Sequence, residues 1–203
     1  MSAMGLSVIL LSIGGVCSEM LTLQNGQLET QGVLMMIVSL ALGALVGEAI
    51  NLEHHTQTFG AFLREKSGNS GDNKFVDAFV TASLTVCIGA MAIVGAIQDG
   101  LSGDPSTLFT KSILDFMIVM IFAAAYGRGA IFSALPVGVL QGAVTLCAGL
   151  LAPVFSQDII DNLSFLGSIL IFCVGINLAF GSRFRVANML PALVIGAVYT
   201  ALF

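Results

Sequence analysis

Apolar residues in this chain come in long unbroken runs, without the alternation of strands or the one-sided stripe of a soluble helix. Seven runs read as membrane spans, over residues 4–21, 33–50, 75–97, 108–126, 131–155, 164–180 and 186–203. A bilayer core needs about 20 mainly apolar residues per helix, and runs that do not alternate exclude the strands of an outer-membrane barrel. The pattern predicts an all-α integral membrane protein, one polytopic domain over residues 1–203 with seven transmembrane helices.

The polar breaks carry turn chemistry: Asn25-Gly26 in the first, Gly100, Gly103 and Pro105 in the third, and Gly127-Arg128-Gly129 in the fourth. Only the loop 52–74 is long. Its first part sets Leu52, Phe59, Phe62 and Leu63 among polar residues, as a short interfacial helix over 52–66 would. Its second part, 67–73, reads SGNSGDN, a flexible linker. Arg64, Lys66, Lys74, Arg128, Arg183 and Arg185 fall on the side of the N-terminus and the even-numbered loops, and only Lys111 on the other. The positive-inside rule then puts the N-terminus in the cytoplasm and the C-terminus outside, with 52–74 a cytoplasmic loop. The outer loops carry Glu19, Glu29, Asp99, Asp104, Asp158 and Asp161.

The first two spans resemble the last two. Ser7-Val8-Ile9-Leu10 with Ile13-Gly14 lines up with Ser168-Ile169-Leu170-Ile171 and Val174-Gly175, and Leu42-Gly43-Ala44 with Ile195-Gly196-Ala197. Apolar runs match readily by chance, so duplication and coincidence stand as equal readings. A true duplication would be inverted, because the copies begin an odd number of spans apart. Inverted repeats typify secondary transporters, with the substrate site near the midplane.

Composition narrows the class. Hydrophobic residues make up 57% and charged residues 9% of the 203 positions, with a mean hydropathy of +0.99, whereas a soluble domain carries roughly 25% charged residues. A net charge of -5 argues against nucleic-acid binding. Cys17, Cys87, Cys147 and Cys173 lie inside apolar runs without a CxxC spacing and read as small core residues, outside any disulfide or metal set. No basic residue precedes the first apolar run, so a secretory signal is not expected. HExxH, GxSxG and Walker A patterns are absent, and Glu53-His54-His55 reads as a solvated surface. No enzyme, cofactor or metal site is expected.

Ionisable groups inside spans cost about 2.5–3.5 kcal/mol on insertion scales, so they point to function or to a paired structural role. Asp115 is the clearest, with Lys111 one turn away on the same helical face. Either the two are a structural ion pair or Asp115 binds a proton or cation. Glu48 closes Gly43-Ala44-Leu45-Val46-Gly47-Glu48, whose glycines form a face for close helix approach. Gln141, Asn177 and Asn188 serve either as interhelical hydrogen bonds or as the lining of a polar path. Pro136 and Pro191 interrupt the fifth and seventh spans, freeing backbone carbonyls that need partners in protein, water or a bound ion.

One block is more specific. Gln98-Asp99-Gly100, Gly103-Asp104-Pro105-Ser106 and Lys111-Ser112-Ile113-Leu114-Asp115-Phe116, with Gly43–Glu48 and Asn188-Met189-Leu190-Pro191, resemble the YqgA-like membrane proteins (domain of unknown function 554) over essentially the whole chain. The resemblance implies a bacterial inner-membrane protein often labelled a transporter, and marks Glu48, Asp99, Asp104, Lys111, Asp115, Asn188 and Pro191 as candidates. Family members usually begin with a further apolar, Gly-rich segment, which would add an eighth span. The functional expectation is a small secondary transporter or permease for a small, cationic solute or ion. The path would use Asp115, Lys111, Glu48, Asn188, Gln141, Asn177, Asp99 and Asp104, with helix breaks at Pro136 and Pro191. Its partners would be the lipid bilayer, the solute and other copies of the chain as a homo-oligomer. The alternative is a non-transporting oligomeric membrane scaffold or regulator.

Overall fold

The computed structural model describes residues 2–24, 27–68, 74–88, 90–151, 153, 155–181 and 183–202. The backbone divides into two compact units, one made of Met1–Leu52 with Val154–Phe203 and the other of Glu53–Pro153.

The first unit opens with α1 (Ser2–Met20), a hairpin of β1 (Leu21–Gln24) and β2 (Gln27–Thr30), and α2 (Val33–Ile50). The hairpin register pairs Leu21 with Thr30 and Gln24 with Gln27, and its expected turn at Asn25-Gly26 lies outside the described residues. The α2 helix ends at Asn51, held in the left-handed region at φ 57°. The second unit holds α3 (Leu52–Lys66), α4 (Phe75–Cys87), α5 (Ala90–Ser102), α6 (Ser106–Tyr126), a 3-10 helix (Arg128–Ser133), α7 (Ala134–Leu146) and the short α8 (Ala148–Leu151). The chain returns to the first unit with α9 (Gln157–Phe180), α10 (Val186–Met189) and α11 (Pro191–Leu202).

Among the described residues, four helices are long and apolar enough to cross a membrane: Val33–Ile50, Ser106–Tyr126, Arg128–Leu146 and Gln157–Phe180. A fifth is added if α4 and α5 form one bent span, while Gly5–Met20 and Val186–Leu202 are apolar but shorter. Four of the spans read from sequence are drawn differently. The expected span 75–97 is two helices, because Ile88 takes an extended conformation (φ -82°, ψ 103°) that ends α4. Beyond it the axes of Phe75–Cys87 and Met91–Ser102 differ by 59°. Apolar residues continue across this break, so hydropathy alone does not register it. The expected span 131–155 starts earlier, as a 3-10 helix, and its main helix ends at Leu146. The expected span 164–180 begins at Gln157, where the Ser156 hydroxyl accepts the Ile159 amide (3.4 Å) as an N-cap. Asp158 and Asp161 are therefore helical residues, not loop residues. The last span is divided into α10 and α11, separated at Leu190. The expected interfacial helix is α3, with the bounds read from sequence, and linker residues 69–73 lie outside the described residues.

In the first unit α1 runs antiparallel to α9, with Gly5 against Ala179 and Gly15 against Ser168. The α2 helix runs antiparallel to α11 in the same way: Gly43 meets Ala192, and Gly196 faces Ser39. Met35, Phe165 and Leu166 form the core, with Val16, Leu40, Leu193 and Tyr199 packed on it. In the second unit α4 is central: Phe75, Ala78, Phe79 and Ala82 are all buried. The 3-10 helix closes on its start, where Phe75 and Phe132 rings sit 5.2 Å apart. Large apolar side chains cover the outside instead of polar ones, Leu146 being 89% and Val139 73% exposed. Surface of that kind is stable against lipid and costly against water.

Gly47 is the tightest point of the α2 packing. A Cβ there would overlap the Asn188 carbonyl oxygen, whereas a Cβ at Gly14 on α1 would meet nothing within 4 Å. Gly47→Ala is expected to destabilise the purified protein by about 2 kcal/mol or more through overpacking. Gly14→Ala should be neutral or stabilise by up to about 1 kcal/mol, since alanine restricts the unfolded chain. Thermal unfolding in detergent compares the two, and equal midpoints would refute the close approach.

Candidate functional site

Helical spacing on α6 sets Lys111 and Asp115 one turn apart, and the two side chains form an ion pair. Lys111 is 6% exposed although it is a lysine in an apolar helix. Its Nζ donates to Asp115 Oδ2 and also to the Val86 carbonyl oxygen at 3.0 Å. Val86 lies in the last turn of α4, where backbone carbonyls run out of intrahelical amide partners. The ammonium thus joins a carboxylate on one helix to a backbone carbonyl in the last turn of another. The pair is net neutral, and removing one member would strand a buried charge at about 3–5 kcal/mol.

Asp115 and Val86 both line an open cavity of about 600 Å³ bordered by α6, the 3-10 helix and α7. Its walls are mostly apolar, with polar groups from Ser112, Asp115, Ser133 and Gln141. Ser133 is 1% exposed, and its hydroxyl has no hydrogen-bond partner among the described residues. A buried hydroxyl without a partner carries a cost, which Ser39 in the first unit and Ser83 on α4 share. Of the residues read from sequence, Asp115 and Gln141 meet here, with Lys111 locked behind Asp115. Pro136 belongs to the first turn of α7, which tolerates a missing N–H, so it marks the junction with the 3-10 helix instead of breaking a helix. Ser133 and the Val86 carbonyl were missed. A serine at the end of a 3-10 helix and a valine backbone oxygen carry no motif.

The remaining candidates are engaged elsewhere. Glu48 accepts from Arg185 Nη1 at 2.5 Å and from Asn188 Nδ2, which ties the end of α2 to α10. Glu48 and Arg185 are more than half exposed, and an exposed pair contributes about 0–1 kcal/mol. Asn188 is buried, and Pro191 opens α11 as its first residue. Asn177 is committed to backbone: it accepts from the Arg183 and Phe184 amides (2.8 and 2.9 Å) and donates to the Phe184 carbonyl (2.7 Å). Asp104 holds the start of α6 by accepting from the Ser106 amide (3.1 Å) and from Gln98 Nε2 (2.7 Å). Asp99 is half-buried on α5 and lies outside the lining of the cavity.

The first unit has its own cavity, of about 650 Å³. Glu19, Asp158 and Asp161 line it together with Asn162, Tyr199 and Thr200, and no basic residue contributes. Asp161 accepts from Gln157 (2.8 Å), and Asn162 donates to Thr200 (2.8 Å). Sequence showed these acids only as separate outer groups.

Apolar helices with lipid-suited surfaces and a charged pair inside define an α-helical membrane protein. The chain belongs to the family described as Protein of unknown function (DUF554), whose pattern matches residues 1–201. It is 31% identical over 176 residues to Uncharacterized protein YqgA of Escherichia coli (strain K12), covering 83% of this chain and 75% of that one. It is 29% identical over 198 residues to Uncharacterized membrane protein YdfK of Bacillus subtilis (strain 168), covering 98% and 80% respectively. No solved structure matches the chain.

The Ser106 backbone amide, first, and then the Ser106 side chain hold the Asp104 carboxyl below the ordinary aspartate range, against an opposing effect of desolvation, with Gln98 adding the smallest lowering. A carboxyl depressed in the folded state adds stability above its unfolded pKa and loses it as pH falls through the folded one. Asp104 should therefore titrate below the ordinary range in a carboxyl-carbon NMR titration. Gln98→Ala should raise that value only part of the way, because the Ser106 amide remains. An ordinary Asp104 value in the wild type would remove the hydrogen-bonded turn.

Proposed function

We propose that this protein is a small secondary transporter or permease of the bacterial inner membrane, moving a small cationic solute or ion. The observation that carries the reading is Asp115, a carboxylate in an apolar helix, opening on a cavity of about 600 Å³ beside a broken helix and an unpartnered buried hydroxyl. Discontinuous helices whose freed carbonyls lie near carboxylates are a common construction for cation sites in transporters. The acid-lined cavity of the first unit, with no basic residue, favours cations over anions.

Seven spans follow if the bent pair and the two shorter apolar helices each cross the bilayer. The basic residues then orient the N-terminus to the cytoplasm and the C-terminus outside. An inverted repeat is supported by a reciprocal contact. The alignment that equates Gly43 with Gly196 also equates Ser39 with Ala192, and Gly43 meets Ala192 while Gly196 faces Ser39. The antiparallel courses of α1 with α9 and of α2 with α11 fit the opposite orientation that such a repeat has.

The rival reading, a non-transporting oligomeric scaffold, is favoured by the neutralisation of Asp115 by Lys111. It loses its most obvious oligomer face, because Gly43 and Gly47 already pack against Ala192 and Asn188 of the same chain. Flux into proteoliposomes, screened over protons, alkali cations and small organic ammonium compounds, separates the two. A folded Asp115→Asn variant should lose at least about tenfold in rate, equivalent to roughly 1.4 kcal/mol. Unchanged flux for every solute the wild type moves would sink the transport role of Asp115. Replacing Lys111 and Asp115 together by apolar residues should give a folded, inactive protein, whereas the scaffold reading predicts that the double variant keeps its role.

A further inference from the structure

Lys111 places its ammonium where a bare cation would be held. One side is the Asp115 carboxylate and the other the Val86 carbonyl at the end of α4, 3.0 Å away. We propose that this ammonium is a tethered stand-in for a monovalent alkali cation, and that Na⁺ or K⁺ takes its place between Val86 and Asp115 when Lys111 withdraws. The inference rests on the transport reading above and assigns its substrate class.

The oxygen set fits that class. Carboxylate, backbone carbonyl and hydroxyl oxygens are hard ligands suited to alkali and alkaline-earth ions, while transition metals favour nitrogen and sulfur. Val86, Asp115 and Ser133 line the same cavity, and the buried Ser133 hydroxyl has no partner among the described residues. A single carboxylate balances one positive charge, so a monovalent ion leaves the site neutral as the lysine does. A divalent ion would leave it with an excess charge at membrane depth.

A buried ammonium has three N–H donors to satisfy, so the carboxylate on its own helix is not enough. Here the ammonium also reaches a second helix, at the point where the helix breaks. Lys111 stands in the second turn of α6, and its flexible four-carbon stem is long enough to carry the charge toward the polar helix start. With the lysine in place the unladen site carries no net charge. The lysine thereby spares the protein an isolated buried carboxylate between cation-bound states.

Unfolding midpoints of the purified full chain in NaCl, KCl and choline chloride at equal ionic strength test this. In Lys111→Met the ammonium is gone and its two oxygen partners remain. The midpoint should rise by several degrees in Na⁺ or K⁺ over choline, and the rise should vanish in Lys111→Met/Asp115→Asn. The wild type, whose site is filled by its own lysine, should show a much smaller difference. Equal midpoints for Lys111→Met in all three salts would overturn the inference, as would an alkali effect of the same size in the wild type. If Lys111→Met does not fold, Lys111→Ser replaces it, with the same expectations. Failure of both to fold in any alkali salt also overturns it, because a cation able to occupy the site would restore the missing charge. Flux lost on Asp115→Asn with flat midpoints would leave the transport reading standing without this substrate class.

Discussion

A charge inside an apolar helix bundle must be compensated within a few ångströms, because no water is there to do it. In the second unit that constraint is met at Lys111, which is held by Asp115 on its own helix and by the Val86 carbonyl on α4. The second contact falls in the last turn of α4, beside the α4–α5 break. A carbonyl there keeps acceptor capacity that an ammonium can use. Helix interruption and buried charge stand side by side. The central position of α4, with Phe75 and Phe79 buried, fixes where the carbonyl stands.

The first unit solves a different problem. It has no ionisable residue in its core of Met35, Phe165 and Leu166, and its cohesion comes from close helix approach. Apolar side chains gain little by leaving lipid for protein, so association in a membrane relies on small residues that bring backbones together. Gly5, Gly15, Gly43, Gly47 and Gly196 supply those approaches. The acids of this unit stand at its margins: Glu48 is clasped by Arg185 and Asn188, and Glu19, Asp158 and Asp161 converge on one cavity.

How much of this was legible depends on the range of the interaction. The bounds of α2 and α3 follow directly from hydropathy, and the Lys111–Asp115 pair follows from a helical repeat of four. The break at Ile88 was hidden because both sides of it are apolar. The start of α9 was hidden because its first turns are polar, although Ser156 three residues before Ile159 is a capping signal. Glu19 and Asp158 converge from opposite ends of the sequence, and no local pattern links them. Asn177 was selected for being polar in an apolar run, yet its amide is bound to the backbone before α10. Polarity marked the residue and only geometry assigned its partners.

Under the transport reading the two units divide the work. Glycine-mediated packing leaves the first unit with paired antiparallel helices and, among the described residues, no buried charge to reorganise. The second carries the buried ion pair beside the α4–α5 break, while an unpartnered buried serine occurs in both units, Ser39 in the first and Ser133 in the second. A protein selected only for stability would gain by replacing Lys111 and Asp115 with well-packed apolar residues, because buried ion pairs often stabilise less than their apolar substitutes. Under the transport reading, a buried ammonium shared between a carboxylate and the last turn of a second helix is a site that exchanges its occupant.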